Sequence, residues 1–186
     1  GETFAATNIC LQSEDFSTTW TNIRSSDAQN VGVAPDGSFT ANSITATSTD
    51  INGSILNQQI NITTTTQYVF SAYAHELVHD QIALRVQDAT GGNLAYFNLA
   101  TAVAGTISVI GTGWTGATSG IEIMGGGWFR CWISATTAAD TTGYFRVMIP
   151  DADNDSAATL NNSLLLWGAQ LELGTTPSSY IKTTTA

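Results

Sequence analysis

The most reactive-looking string in the chain is His75-Glu76-Leu77-Val78-His79, which spells H-E-x-x-H. In zinc peptidases that spacing places two imidazoles on one helix face, with a glutamate beside them to activate metal-bound water. The chemistry therefore needs a helix. Here the string lies between two segments that alternate apolar and polar residues, Tyr68–His75 and Gln81–Asp88. The spacing predicts a short hairpin connection between strands, in which the two imidazoles would stand about 13 Å apart at strand rise. These are the only histidines, so a third ligand would have to be a carboxylate. No zinc site is expected. Asp151, Asp153 and Asp155 offer alternating oxygens that resemble a calcium loop. Ser156 and Asn162, however, occupy the positions where such a loop needs glycine and a bidentate glutamate. A solvated acidic loop is the expectation. The chain has no Gly-x-Ser-x-Gly elbow, phosphate-binding loop, dinucleotide fingerprint or Cys-x-x-Cys pair. The residues point to a binding chain rather than a catalyst.

The aromatic and planar polar residues are more informative. Sugar rings stack their apolar faces on Trp and Tyr, and their hydroxyls pair with amide, carboxylate and guanidinium groups. A period of two sets Phe70, Ala72, Leu84, Val86, Phe129, Cys131 and Ile133 inward. The same parity turns Tyr73, Arg85, Arg130, Trp132 and, on the last strand, Gln170 outward. These five are the candidate ligand-binding residues, expected on one exposed sheet face that suits a glycan or a protein partner. Gln87, Tyr144 and Arg146 share their outward parity. Trp20 and Trp167 read as core and Trp128 as structural. Trp114, amid Gly111–Gly120, reads as a loop residue that serves as an exposed platform or a lid.

The elements that must hold these side chains are strands. Hydrophobic residues make up 42% of the chain and charged residues 11%, enough apolar material for one large core. Sustained helical periodicity is absent. Alternating runs at Tyr68–His75, Gln81–Asp88, Trp128–Ser134, Tyr144–Ile149 and Leu164–Glu172 are separated by turn clusters. The clusters are Asp36-Gly37, Asn52-Gly53, Gly91-Gly92-Asn93, Gly125-Gly126-Gly127 and Thr142-Gly143. About eight to ten strands at this spacing predict an all-β antiparallel sandwich or jelly roll. Residues 1–186 read as one module, expected to be part of a larger chain or assembly, and the start Gly-Glu without an initiator Met reads as cleavage, excision or removal of the Met. With 5 Lys and Arg against 15 Asp and Glu, the net charge of −10 argues against nucleic acid and anionic membranes. It suits neutral glycans or a cation. No apolar run is long enough for a membrane helix. Cys10 and Cys131 read as buried free thiols or as a single disulfide.

Several segments carry a family resemblance. Asn8–Trp20 (NICLQSEDFSTTW), Ala34-Pro35-Asp36-Gly37, Phe70–His75 (FSAYAH), Gly127–Arg130 (GWFR) and Leu166–Ile181 (LWGAQLELGTTPSSYI) follow one another in a familiar order. This series resembles jelly-roll modules frequent in phage virion proteins such as tail fibres and decoration proteins. In layout it is similar to carbohydrate-binding modules of families 4, 9 and 22. His75 and Lys182 depart from the pattern, which has Lys and Pro there. The resemblance implies a non-catalytic module at a virion surface or outside the cell, oligomeric within an assembly. Its partner would be a glycan or a neighbouring virion protein. It also implies a structural Ca²⁺ between the chain ends, with Glu14, Asp15 and Glu172 as ligands. The two alternatives are a module from a secreted polysaccharide-degrading enzyme and a purely structural decoration or oligomerisation domain.

Overall fold

A computed structural model describes residues 6–185. Twelve strands follow in chain order: β1 (Thr21–Ile23), β2 (Ser25–Gly32), β3 (Ala41–Ala46), β4 (Ile55–Asn61), β5 (Gln67–Glu76) and β6 (Gln81–Asp88). The second half adds β7 (Gly91–Asn98), β8 (Val103–Gly111), β9 (Thr115–Gly125), β10 (Trp128–Thr136), β11 (Thr142–Met148) and β12 (Ser163–Leu173). They form two six-stranded antiparallel sheets, ordered β1-β4-β11-β6-β7-β8 and β2-β3-β12-β5-β10-β9. No helix occurs among the described residues. The all-β sandwich read from the sequence is the fold of the molecule.

The inward parity predicted for the strands builds the core. Phe70, Ala72 and Ala74 of β5, Ile82, Leu84 and Val86 of β6, and Cys131 and Ile133 of β10 meet Phe145, Val147, Leu164 and Leu171 between the sheets. Phe70 and Phe145 meet edge to face at 5.6 Å, the arrangement that ring quadrupoles favour. Twelve strands exceed the expected number because β1, β2, β8 and β9 are short or rich in Ser, Thr and Gly. Two expected turns are also misplaced. Gly91–Asn93 opens β7 after a turn at Ala89–Thr90, and Thr142-Gly143 opens β11.

Of the connections that cross between the sheets, two overturn local readings. β8 edges one sheet and β9 edges the other, so the segment between them passes over the end of the sandwich. Trp114 drops from it into the core at 3% exposure, against Tyr68 and Phe145. It is a core plug, not a platform or lid. β5 and β6 likewise belong to opposite sheets. Leu77–Asp80 is thus a crossover and not a hairpin.

Cys10 and Cys131 are both free and fully buried in the core, and burial pushes both thiols up. A thiolate is the reactive species, so neither should react in the native protein. A thiol reagent should label none in buffer and both in denaturant; labelling under native conditions would contradict this packing.

Candidate functional site

The five proposed ligand residues do not form one exposed face. Tyr73, Arg130, Trp132 and Gln170 lie on the outer side of the β2-β3-β12-β5-β10-β9 sheet, whereas Arg85 stands on β6 of the other sheet. The alternation itself holds on each of these strands. The hairpin assumed at Leu77–Asp80, which would have paired β6 with β5, is what misplaced Arg85. Exposure also fails, because the C-terminal segment folds back over this face. Tyr73, Arg130 and Gln170 are 5%, 4% and 0% exposed. Arg130 donates from Nη1 to the Ser178 carbonyl (2.5 Å) and from Nη2 to Ser71 Oγ (3.3 Å), with its guanidinium 5.1 Å from the Tyr73 ring centre. Gln170 Oε1 accepts from Ile181 N–H (2.8 Å), and its Nε2 donates to Glu172 (2.5 Å). Tyr180 packs against Tyr73 and Trp167. Trp132 is partly buried, its indole lying across Gly120, where even a Cβ would come within 2.5 Å of the ring.

The carboxylates proposed for calcium have separate duties. Glu14 accepts from the Tyr180 hydroxyl (2.7 Å) and pairs with Lys182 (3.6 Å). Asp15 accepts from Ser17 and Thr18, which hold its carboxyl below the usual range against the opposing effect of burial. Glu172 is buried and accepts from Gln170 and from Ser178 N–H. Among the described residues no group of three or more His, Cys, Asp or Glu is placed to hold a metal ion. The ligand set Glu14, Asp15 and Glu172 is therefore not assembled. In the H-E-x-x-H string, the His75 ring nitrogens face the carbonyls of Glu76 and Gly126, and His79 Nε2 faces that of Pro150. The two imidazoles point to different partners.

The acidic loop folds down as a strap over one end of the β1-β4-β11-β6-β7-β8 sheet. Asp153 accepts from Thr106 N–H (2.8 Å) and its hydroxyl (2.6 Å), and Thr159 donates to Asp151. Its backbone crosses Gly53, whose positive φ of 81° and contact with the Ser156 carbonyl leave no room for a side chain. Beneath the strap Ile55, Ala83, Leu94, Tyr96 and Met148 form a small apolar cluster.

Beyond the strap the same face stays open. Two rows of side chains run across it, perpendicular to the strands. In one row Asn57 of β4 is opposite Arg146 of β11, which is opposite Arg85 of β6. In the next, Gln59, Tyr144 and Gln87 occupy the corresponding positions. Arg146 donates from Nε to Asn57 Oδ1 (3.0 Å), and its guanidinium lies 5.8 Å from the Tyr144 ring centre. A cavity of about 300 Å³ opens beside Tyr144, lined also by Gln59, Asp140 and Thr142. Three buried polar atoms here have no hydrogen-bond partner: Arg85 Nε, Gln87 Oε1 and Asp140 Oδ2. Such groups cost about 1–3 kcal/mol each when unmet, so a ligand that pairs them gains accordingly. An aromatic ring, two guanidiniums and several amides can receive a polyhydroxylated ring. Outward parity at Arg85, Gln87, Tyr144 and Arg146 was legible in the sequence. Asn57 and Gln59 were not found, because Gln58 between them faces inward, bonded to Leu11, and breaks the alternation.

This architecture recurs in known proteins. The carbohydrate-binding module TmCBM61, solved with β-1,4-galactotriose, aligns with a TM-score of 0.50 at 14% identity, over 90% of this chain and 99% of that one. The CBM22-1 xylan-binding domain of Paenibacillus barcinonensis Xyn10C aligns with a TM-score of 0.56 at 10% identity, over 95% of this chain and 100% of that one. The fold is that of a carbohydrate-binding-module β-sandwich. No family model matches the chain, and no curated protein matches its sequence.

Gln170→Ala should expose a structural role for the sealed face. It leaves Ile181 N–H without its acceptor and removes the donor to Glu172 Oε2, costing about 1–3 kcal/mol. The melting temperature should fall while the folded protein keeps its ligand. A variant of unchanged stability that no longer binds would return this face to candidacy.

Proposed function

We propose that the chain is a non-catalytic carbohydrate-binding module whose platform is the open outer face around Tyr144, Arg146, Arg85 and Gln87. The observation that carries this reading is the contrast between the two outer faces. On one, the chain's own C-terminal segment covers Tyr73, Arg130 and Gln170, the polar and aromatic side chains that would meet a ligand. The other keeps an aromatic ring, guanidinium groups and amides together, with polar atoms that no protein group pairs. The sandwich shared with modules whose structures contain galactotriose or bind xylan supports the same reading. A non-catalytic role is supported by the placement of the most reactive side chains: both histidines face backbone carbonyls, and both cysteines are buried in the core. The motif order shared with phage jelly-roll modules supports a place on a virion surface, as part of a larger oligomeric assembly. A module of a secreted polysaccharide-degrading enzyme would use the same face.

Tyr144→Ala and Trp132→Ala separate the two faces. A partly exposed tyrosine platform can be removed without opening the core, so Tyr144→Ala should lower glycan affinity at least about tenfold at nearly constant melting temperature. Trp132→Ala should leave affinity unchanged. Affinity electrophoresis against soluble polysaccharides reads both, and loss of binding in the Trp132 variant alone would place the ligand on the other sheet.

A further inference from the structure

The chain has few cations, and it places two of them side by side. Arg85 and Arg146 are direct cross-strand partners on the open face. Like charges in that position repel and destabilise a sheet. Neither has a carboxylate to neutralise it: among the described residues the ion pairs are Arg24 with Asp50 and Lys182 with Glu14. The charged or titratable groups that act on Arg85 are Arg146 and Tyr96, and those acting on Arg146 are Tyr144 and Arg24. Burial, more than any of these neighbours, lowers both guanidiniums from their usual range, although arginine stays charged in proteins. Asp140, the acidic residue lining the cavity beside Tyr144, is not among the groups acting on either arginine. In a protein of net charge −10, with 15 acidic residues available, this row stands without an acid of its own. Arg85 Nε, moreover, is buried and unpaired.

We propose that the glycan bound on this face is acidic, and that Arg85 and Arg146 together clamp the carboxylate or sulfate of one sugar. Guanidinium forks match planar or tetrahedral oxyanions with paired hydrogen bonds. The Tyr144 ring lies next to Arg146 and carries the sugar's apolar face, while Asn57, Gln59 and Gln87 provide partners for hydroxyls. An acidic peptide would use the arginines but has no need of the ring and the three amides, so the glycan is favoured. This inference rests on the proposed binding face and narrows it.

The test is an array that pairs uronate-bearing and sulfated oligosaccharides with their carboxyl-reduced or desulfated counterparts. It would be probed with the wild-type protein and with R85Q, R146Q and Y144A. The acidic member of a pair should bind at least about tenfold more tightly than its neutral counterpart. Each arginine variant should lose that preference, at a melting temperature equal to or above that of the wild type because a like-charge contact is relieved. The uronate and sulfate arms then name the anion. Equal binding of both members of each pair, lost in Y144A, overturns the acidic specificity and leaves the binding face intact. Silence across the array removes both proposals. Capture of poly-L-glutamate as tightly as the best glycan, abolished in R85Q, reassigns the arginines to a protein partner and overturns the glycan clamp. A lowered melting temperature in R85Q and R146Q without a change in glycan preference makes the pair structural and has the same consequence.

Discussion

The fold depends on a buried polar latch that ties the two ends of the chain to one sheet. Asn8 donates from Nδ2 to the carbonyls of Ala169 and Ile181, and its Oδ1 accepts from Cys10 and Leu171 N–H. Gln170, Glu172 and Arg130 hold Ser178 and Ile181 from below, and Ser13 and Thr183 exchange hydrogen bonds across the seam. Buried amide, carboxylate and guanidinium groups are costly unless each finds a partner. This arrangement is therefore specific: the tail fits in one register or leaves charges stranded. It also gives a physical reason for the sequence Leu166–Ile181, the closing stretch of the family resemblance, and for Asn8, which opens it. Those residues are the closure of the sandwich.

Once that latch is set, the division of labour between the faces follows. A sheet of a two-layer sandwich buries one face against its partner and leaves the other to solvent or to a ligand. The tail covers the middle of one outer face, with Tyr180 packed against the touching rings of Tyr73 and Trp167. On the other sheet the acidic strap covers only the Tyr96 and Met148 end. What remains open is a limited area whose side chains need not satisfy one another. Unpaired atoms and adjacent like charges are tolerated there because the latch and the core carry the stability.

Much of this was legible in the residues. β6 begins and ends where alternation placed it, and the inward set Phe70, Ala72, Leu84, Val86, Cys131 and Ile133 is the core. Parity also turned Arg85, Gln87, Tyr144 and Arg146 outward. Sheet membership is a different kind of information. It depends on whether a short connection turns back or crosses over, and Leu77–Asp80 has a length that permits either. Burial on the far face was equally hidden, because Tyr73, Arg130 and Gln170 are covered by residues that lie in the C-terminal segment, far along the chain from the first two. Trp114 looked like a loop residue among glycines, yet those glycines let the crossing segment turn its indole inward. Gly113, with φ of 111°, immediately precedes it.

The strongly acidic balance and an acidic ligand are reconcilable once distance is considered. Charges separated by more than the Debye length, about 8 Å at physiological salt, are largely screened. Partly buried groups in contact are screened far less. The net charge of −10 therefore acts mainly on extended polyanions, whose many charges lie over the acidic surface as well as the site. A glycan with isolated acidic sugars would meet little of that repulsion, and on the proposed face it would still bring one anion to Arg85 and Arg146. Two guanidiniums side by side offer more positive charge than one such group needs, and Arg146 remains tied to Asn57, which fixes the clamp in place. At the proposed site the surface field and the local pair would select in the same direction, toward chains that are mostly neutral with acidic residues spaced along them.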